Sequence, residues 1–218
     1  SLAKWWRNID KQIFFLFIFL LMLGLFFSFA STTSVISEKM NKQTYFFFIK
    51  HFVFVLISLF LLILISLQDQ KKLIKFFNYL FFISILLLVL TLVLGVEIKG
   101  SKRWIDLPFL PLRFQPVELV KPLFIVFVSK IIFQDEKINI YRRYFNSFLI
   151  LFFILLILIN QPDLGQTLLL TLTWITMIFV SGFNMVVLTL LGLVFIFIFI
   201  LLIFFSPEKF GYVFLRIK

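Results

Sequence analysis

The chain has 218 residues, of which 62% are hydrophobic and only 14% charged, against about 45–50% and about 25% in a soluble domain. So much apolar surface excludes a water-soluble globule of this size and makes lipid the solvent for most of the chain. A net charge of +11 would suggest nucleic acid in a soluble protein; here the cations sit in short connections between apolar runs, where they anchor helices against anionic headgroups, and no nucleic-acid partner is expected.

A spanning helix needs roughly 20 mostly apolar residues. By that measure the chain predicts an all-α polytopic membrane protein with about seven transmembrane helices, near 13–33, 45–67, 76–96, 116–133, 146–160, 164–181 and 185–205. The runs are continuous and do not alternate, so helices are expected and barrel strands are not. The first run follows Lys4, Trp5, Trp6, Arg7 and Lys11 and has no small-residue cleavage pattern after it, so it reads as a retained span. The chain reads as a single transmembrane domain over 1–218.

Most connections are short and polar. The exception is 97–115, EIKGSKRWIDLPFLPLRFQ, with five charged residues between Glu97 and Asp106. Four of the six Pro residues fall within 108–122. A long, charged, Pro-rich connection between membrane helices is where function is most often carried. With the N-terminus inside, ten of the 21 cations lie inside, which is a balanced count. Setting aside Lys99, Lys102, Arg103, Arg113 and Lys121, which belong to the unusual segment, leaves ten inside against six outside. The N-terminus is therefore expected to be cytoplasmic and the 97–115 loop periplasmic.

Phe is abundant at 35 residues, while Ala occurs only at positions 3 and 30. The Phe residues are spread over every run, which favours an AT-rich coding bias over a Phe-lined ligand pocket. The absence of Cys removes disulfides, thiol nucleophiles and thiolate metal sites. The single His, His51, begins an apolar run and reads as an interfacial residue, which argues against a His-built metal centre. No Gly-rich phosphate loop, Ser-centred elbow or internal repeat is present.

Ionisable residues in or beside spans are costly and are candidate functional groups. Glu118 and Lys121, in QPVELVK, lie three residues apart, on one face of a helix and near enough to pair. A structural ion pair that fixes helix orientation would need the same spacing. Asp163, in QPDLGQT, follows the helix breaker Pro162 and can cap the next helix. That cap is a sufficient reason for it, though it could also face Lys121 or an outer cavity. In GSKRWIDL, Lys102 and Arg103 stand beside Trp104, a grouping that suits an anionic headgroup such as a lipid pyrophosphate, or an ordinary interfacial anchor.

These three segments, GVEIKGSKRWIDL, QPVELVKP and QPDLGQTLL, resemble in order and placement the SEDS family (shape, elongation, division and sporulation), which includes FtsW, RodA and SpoVE. The likeness extends over the whole chain. It looks most like the FtsW-type division branch, of alphaproteobacterial kind, on WWRNID before the first span, SFAS at its end, FIKH before the second and GQT after QPDL. Val117 stands where the family usually has Ser. The resemblance maps family motif residues onto Gly100, Arg103, Trp104, Glu118, Lys121 and Asp163.

What the resemblance implies is a peptidoglycan glycosyltransferase of the bacterial inner membrane. It would polymerise lipid II onto an undecaprenyl-linked glycan and work with a class B penicillin-binding transpeptidase and other division proteins. It implies no organic cofactor and leaves a divalent cation open. A lipid II flippase, or a division scaffold without chemistry of its own, would use the same cationic loop and ion pair. Members of the family have about ten spans, with the expected catalytic Asp in a loop after the seventh, which here would follow Lys218. On that pattern the chain is expected to be an N-terminal fragment that is inactive alone, with no catalytic residue among its own and with Lys102, Arg103, Trp104, Glu118, Lys121 and Asp163 binding or supporting substrate.

Overall fold

The computed structural model describes residues 5–7, 9–34, 46–98, 101–106, 113–133 and 139–205. Within them, seven helices fall on the seven predicted runs. They are α1 (Lys11–Ser34), α2 (Phe46–Ser66), α3 (Gln70–Leu94), α4 (Val117–Phe133), α5 (Ile140–Asn160), α6 (Leu164–Val180) and α7 (Met185–Phe205). By length and composition, α1, α2, α3 and α5 can each cross a membrane, whereas Met185–Ile198 of α7 and all of α6 form shorter apolar helices. At 17 residues each, α4 and α6 lie at the lower edge of the about 17–25 residues a span needs.

The fifth helix starts six residues before its predicted run. Asn139 caps it, its side chain accepting from Tyr141 N at 3.0 Å, and Arg142 and Arg143 ride on the first turn. Charges at a span's end lie at headgroup level, so a helix can begin before its apolar run does. Arg143 Nη1 reaches back to the carbonyl of Ile132 at 2.6 Å and caps the end of α4.

The chain divides into two compact units, residues 1–73 and 74–218. In the first, α1 and α2 form a hairpin. Asp10 caps α1 by accepting from Gln12 N and Ile13 N at 3.0 and 3.2 Å. Trp5 Nε1 donates to Ser66 Oγ at 2.8 Å and joins the start of the hairpin to its end. His51 packs beside Gly24, where a Cβ would meet its ring at 3.6 Å. Most other described side chains of both helices are exposed and only Val55 is fully buried, as lipid-facing helices require.

The second unit holds the core. Its buried positions recur every three or four residues: Phe81, Ser84, Leu88 and Thr91 on α3; Val120, Phe124 and Val128 on α4; Ser147, Leu151, Ile154 and Leu158 on α5; Thr167, Leu170, Trp174 and Ile178 on α6. Phe81 stacks on Phe127 with centroids 4.5 Å apart. The buried hydroxyls bond carbonyls of their own helices, as Ser84 does to Phe81 at 2.7 Å. Ser147 also accepts from Trp174 Nε1 at 3.0 Å, which ties α6 to α5. Between α6 and α7, Gly182 at φ +86° takes the left-handed position: its N–H bonds Phe179 O, and that of Phe183 reaches Ile178 O. Asn184 then caps α7 through Val186 N at 2.9 Å.

The all-α expectation holds for the spans, and the long connection between α3 and α4 folds as a small antiparallel sheet. Its strands are β1 (Val96–Ile98), β2 (Ser101–Asp106) and β3 (Arg113–Phe114), in the order β1-β2-β3. The charges and prolines of this segment hide the strand pattern in the sequence. Val96 pairs with Trp104, but Glu97 pairs with Lys102, so Arg103 is an extra, unpaired residue on β2. Such a bulge re-aims a side chain and bends its strand. Asp106 faces Arg113 across the β2–β3 pair, with Oδ1 and Nε 3.1 Å apart. Lys99, Gly100, Pro108 and Pro111 lie outside the described residues, as does Lys218, after which the catalytic loop is expected.

Gly95 connects α3 to β1, and its N–H bonds Thr91 O at 3.0 Å. A Cβ at Gly95 would stand 2.2 Å from that same oxygen. Gly95→Ala is therefore expected to cost about 1–3 kcal/mol and to loosen the sheet, seen as a lower unfolding midpoint in detergent. An unchanged midpoint would show that α3 can end without this close approach.

Candidate functional site

The α5–α6 break and the sheet meet at one end of the second unit. Asn160, Gln161 and Pro162 end α5, and Asp163 N donates back to Leu158 O at 3.0 Å. The Asp163 side chain caps α6 through a long contact from Gln166 N, 3.5 Å. At the break, the carbonyls of Gln161 and Pro162 receive bonds from Arg103: its Nε donates to Gln161 O at 3.3 Å, and its Nη2 to Pro162 O. The same Nε stands 3.5 Å from Asp163 Oδ2, and these side chains are 25% and 7% exposed. Gln115 Nε2 approaches that carboxylate oxygen at 3.5 Å. The β2 bulge, the break and the start of α4 thus converge on one carboxylate.

A second ion pair lies on α4, where Lys121 Nζ is 2.7 Å from Glu118 Oε2. Asp163 faces Arg103, and Lys121 is held by Glu118. Gln166 spans the two pairs: its backbone N meets Asp163, and its Nε2 lies 3.4 Å from Glu118 Oε1. Its Oε1 is buried without a hydrogen-bond partner among the described residues. Lys102 is exposed opposite Glu97, and Trp104 is half-buried opposite Val96. Of the six residues singled out in the sequence, four form the two linked ion pairs, while Lys102 and Trp104 flank them on β2. Glu118 and Asp163 are the carboxylates of the cluster; among the described residues no three His, Cys, Asp or Glu side chains gather to hold a metal ion.

The residues that sequence reasoning passed over are the amides Gln115, Gln161 and Gln166, and Thr91. Gln161 is 2% exposed. Its Nε2 donates to Leu88 O at 3.1 Å and to Thr91 Oγ1. The available signal was their polarity: Thr91 interrupts the apolar run LLLVLTLVLG, and a polar group inside a membrane protein needs a partner.

A polytopic helical membrane protein with two linked ion pairs at one end of its bundle is the class these features define. Residues 11–215 match the FtsW/RodA/SpoVE family of cell cycle proteins, and the chain belongs to that family. It is 30% identical over 175 residues to the probable peptidoglycan glycosyltransferase FtsW of Aliivibrio salmonicida, an alignment covering 79% of this chain and 43% of that protein. The chain spans about half the length of the curated relatives it matches. Among solved structures it is similar to the rod shape determining protein RodA of Thermus thermophilus (27% identity, TM-score 0.68), covering 90% of this chain and 60% of that one. It also shares its fold (24% identity, TM-score 0.71) with a chain of a peptidoglycan synthase complex, covering 92% of this chain and 58% of that one.

Arg103→Leu removes the cation beside a buried carboxylate and one donor from each of two carbonyls, and is expected to cost about 3 kcal/mol. Adding Asp163→Asn should recover part of that loss, because the stranded charge goes with it. A double-mutant cycle on unfolding in detergent reads the coupling, and strictly additive losses would mean that the pair contributes nothing.

Proposed function

We propose that the protein to which this chain belongs is a peptidoglycan glycosyltransferase of the inner membrane, acting in septal wall synthesis. The observation that carries the reading is the convergence of the three motif segments on one linked cluster of Arg103, Asp163, Glu118 and Lys121. Relatives bearing the glycosyltransferase name support it. The substrate in this reading is lipid II. The 4-hydroxyl of the acceptor attacks the anomeric carbon of the donor glycan, its proton passing to a general base. The bond to undecaprenyl pyrophosphate breaks, and inversion of the α-linkage gives a β-linked strand.

No residue of this chain is assigned as the base, which in this reading belongs to the loop expected after Lys218. The part of this chain is electrostatic. The leaving pyrophosphate gathers negative charge, which Arg103 and Lys121 are placed to stabilise. Two of the five guanidinium N–H donors go to the break's carbonyls, leaving others for a phosphate oxygen. Exposed Lys102 adds charge at the rim. An apolar groove of about 330 Å³ between α5, α6 and α7 includes Thr167, one turn beyond Asp163, and offers room for an isoprenoid chain. In this reading the N-terminus is cytoplasmic, the cluster faces the periplasm and a class B penicillin-binding transpeptidase is the partner. The fold shared with a synthase complex that joins polymerisation to crosslinking fits that partner.

The test is polymerisation of lipid II by the full-length protein. Arg103→Ala or Lys121→Ala is expected to lower it roughly a hundredfold, as loss of one transition-state donor does. Unchanged polymerisation and unchanged lipid II binding would remove these residues from the mechanism. Lipid movement across liposomes with no glycan product would mark a flippase instead.

A further inference from the structure

We infer that Thr91 is a positioning residue. Through its carbonyl it roots the strand pair that carries Arg103, and through its hydroxyl it fixes Gln161 beside Asp163. The inference rests on reading the Arg103–Asp163 cluster as part of the glycosyl-transfer site. Thr91 is fully buried, at 0% exposure, one turn from the end of α3. Its Oγ1 donates to Leu88 O at 2.6 Å and accepts from Gln161 Nε2, which also donates to Leu88 O. Its backbone oxygen accepts from Gly95 N at 3.0 Å, so tightly that a Cβ there would not fit. The next residue, Val96, opens β1 and pairs with Trp104, beside the bulged Arg103. Arg103 returns to Gln161 O.

The contacts therefore close a ring: Thr91, Gly95, β1, β2, Arg103, Gln161 and back to Thr91. Ser84, on the same face of α3, bonds the carbonyl of Phe81 on its own helix. Thr91 differs in that both of its polar groups reach segments of the site. A buried amide whose N–H groups are both bonded is held in one geometry, and here that geometry sets how the sheet meets the α5–α6 break.

The experiment compares Thr91→Val, which keeps the shape and loses the hydroxyl, with Thr91→Ser, which keeps the hydroxyl. The chain has no Cys, so Lys102→Cys and Gly165→Cys, both at exposed positions, can carry spin labels in the full chain in lipid nanodiscs. The label distance is expected to shift or broaden in Thr91→Val and to return in Thr91→Ser. Polymerisation by the unlabelled full-length proteins should fall roughly ten- to a hundredfold in the first and recover in the second. An unchanged distance in Thr91→Val, or a change that Ser does not reverse, overturns the inference. If the full-length wild type gives the narrow distance but no polymer, the glycosyltransferase reading fails and the distance series alone decides Thr91. Should Thr91→Val not fold, Gln161→Met removes the same bond from the other side. Failure of both to fold would make the ring a folding element and overturn its positioning role.

Discussion

At the break between α5 and α6 the helical ladder is interrupted, and one cation, Arg103, bonds the carbonyls of Gln161 and Pro162. In a bilayer a backbone group without a partner has little water to turn to, and a buried orphan costs about 1–3 kcal/mol. A guanidinium suits this place better than an ammonium, because its rigid fork meets two carbonyls and still stands beside a carboxylate. The rest of the site follows from this bonding. The sheet must form to deliver Arg103, the bulge must aim it, and Gln161 must be pinned so that its carbonyl stays in reach. Charges that a reaction could use are thus also the groups that close the fold, and binding and stability are coupled here through the same atoms.

The positions of the helices were legible because their cause is local. Apolar runs of bilayer length, Pro162 after Asn160, Asp163 before an apolar run, and Gly182 followed by Asn184 each act within a few residues. The pairing of Glu118 with Lys121 was legible for the same reason, since helix geometry brings residues three apart together. Which cation meets Asp163 was not. Arg103 and Asp163 are 60 positions apart, and their meeting depends on a register shift in a sheet whose strands are two to six residues long. Charges, Gly and Pro in that segment all read as loop, and the pairing of Val96 with Trp104 is a tertiary fact.

The inner faces of the helices were also hard to read, because an apolar residue in a membrane helix is equally at home toward lipid or toward protein. Periodicity of hydrophobicity, the main signal in soluble helices, is therefore weak. The small polar residues carry the information instead. Ser84, Thr91, Ser147, Thr167 and Thr171 all lie on buried faces, where hydroxyls find carbonyls and allow close packing. The amides and hydroxyls in otherwise apolar runs mark the core of this protein more clearly than its many Phe residues do.

The scarcity of fully buried side chains in the α1–α2 hairpin has a consequence for how the chain enters the membrane. Their most apolar stretches have mean hydropathies of 2.8 and 2.7 and are 0% and 6% buried. Each is soluble in lipid on its own account, needing no neighbour to be stable across the bilayer. The 17-residue α4 and α6 are different: one carries Glu118, Lys121 and Pro122, and the other is capped by Asp163, so both rely on surrounding helices to shelter polar groups. Insertion is thus graded along the chain, with an autonomous leading hairpin and later helices whose place in the bilayer is secured by assembly.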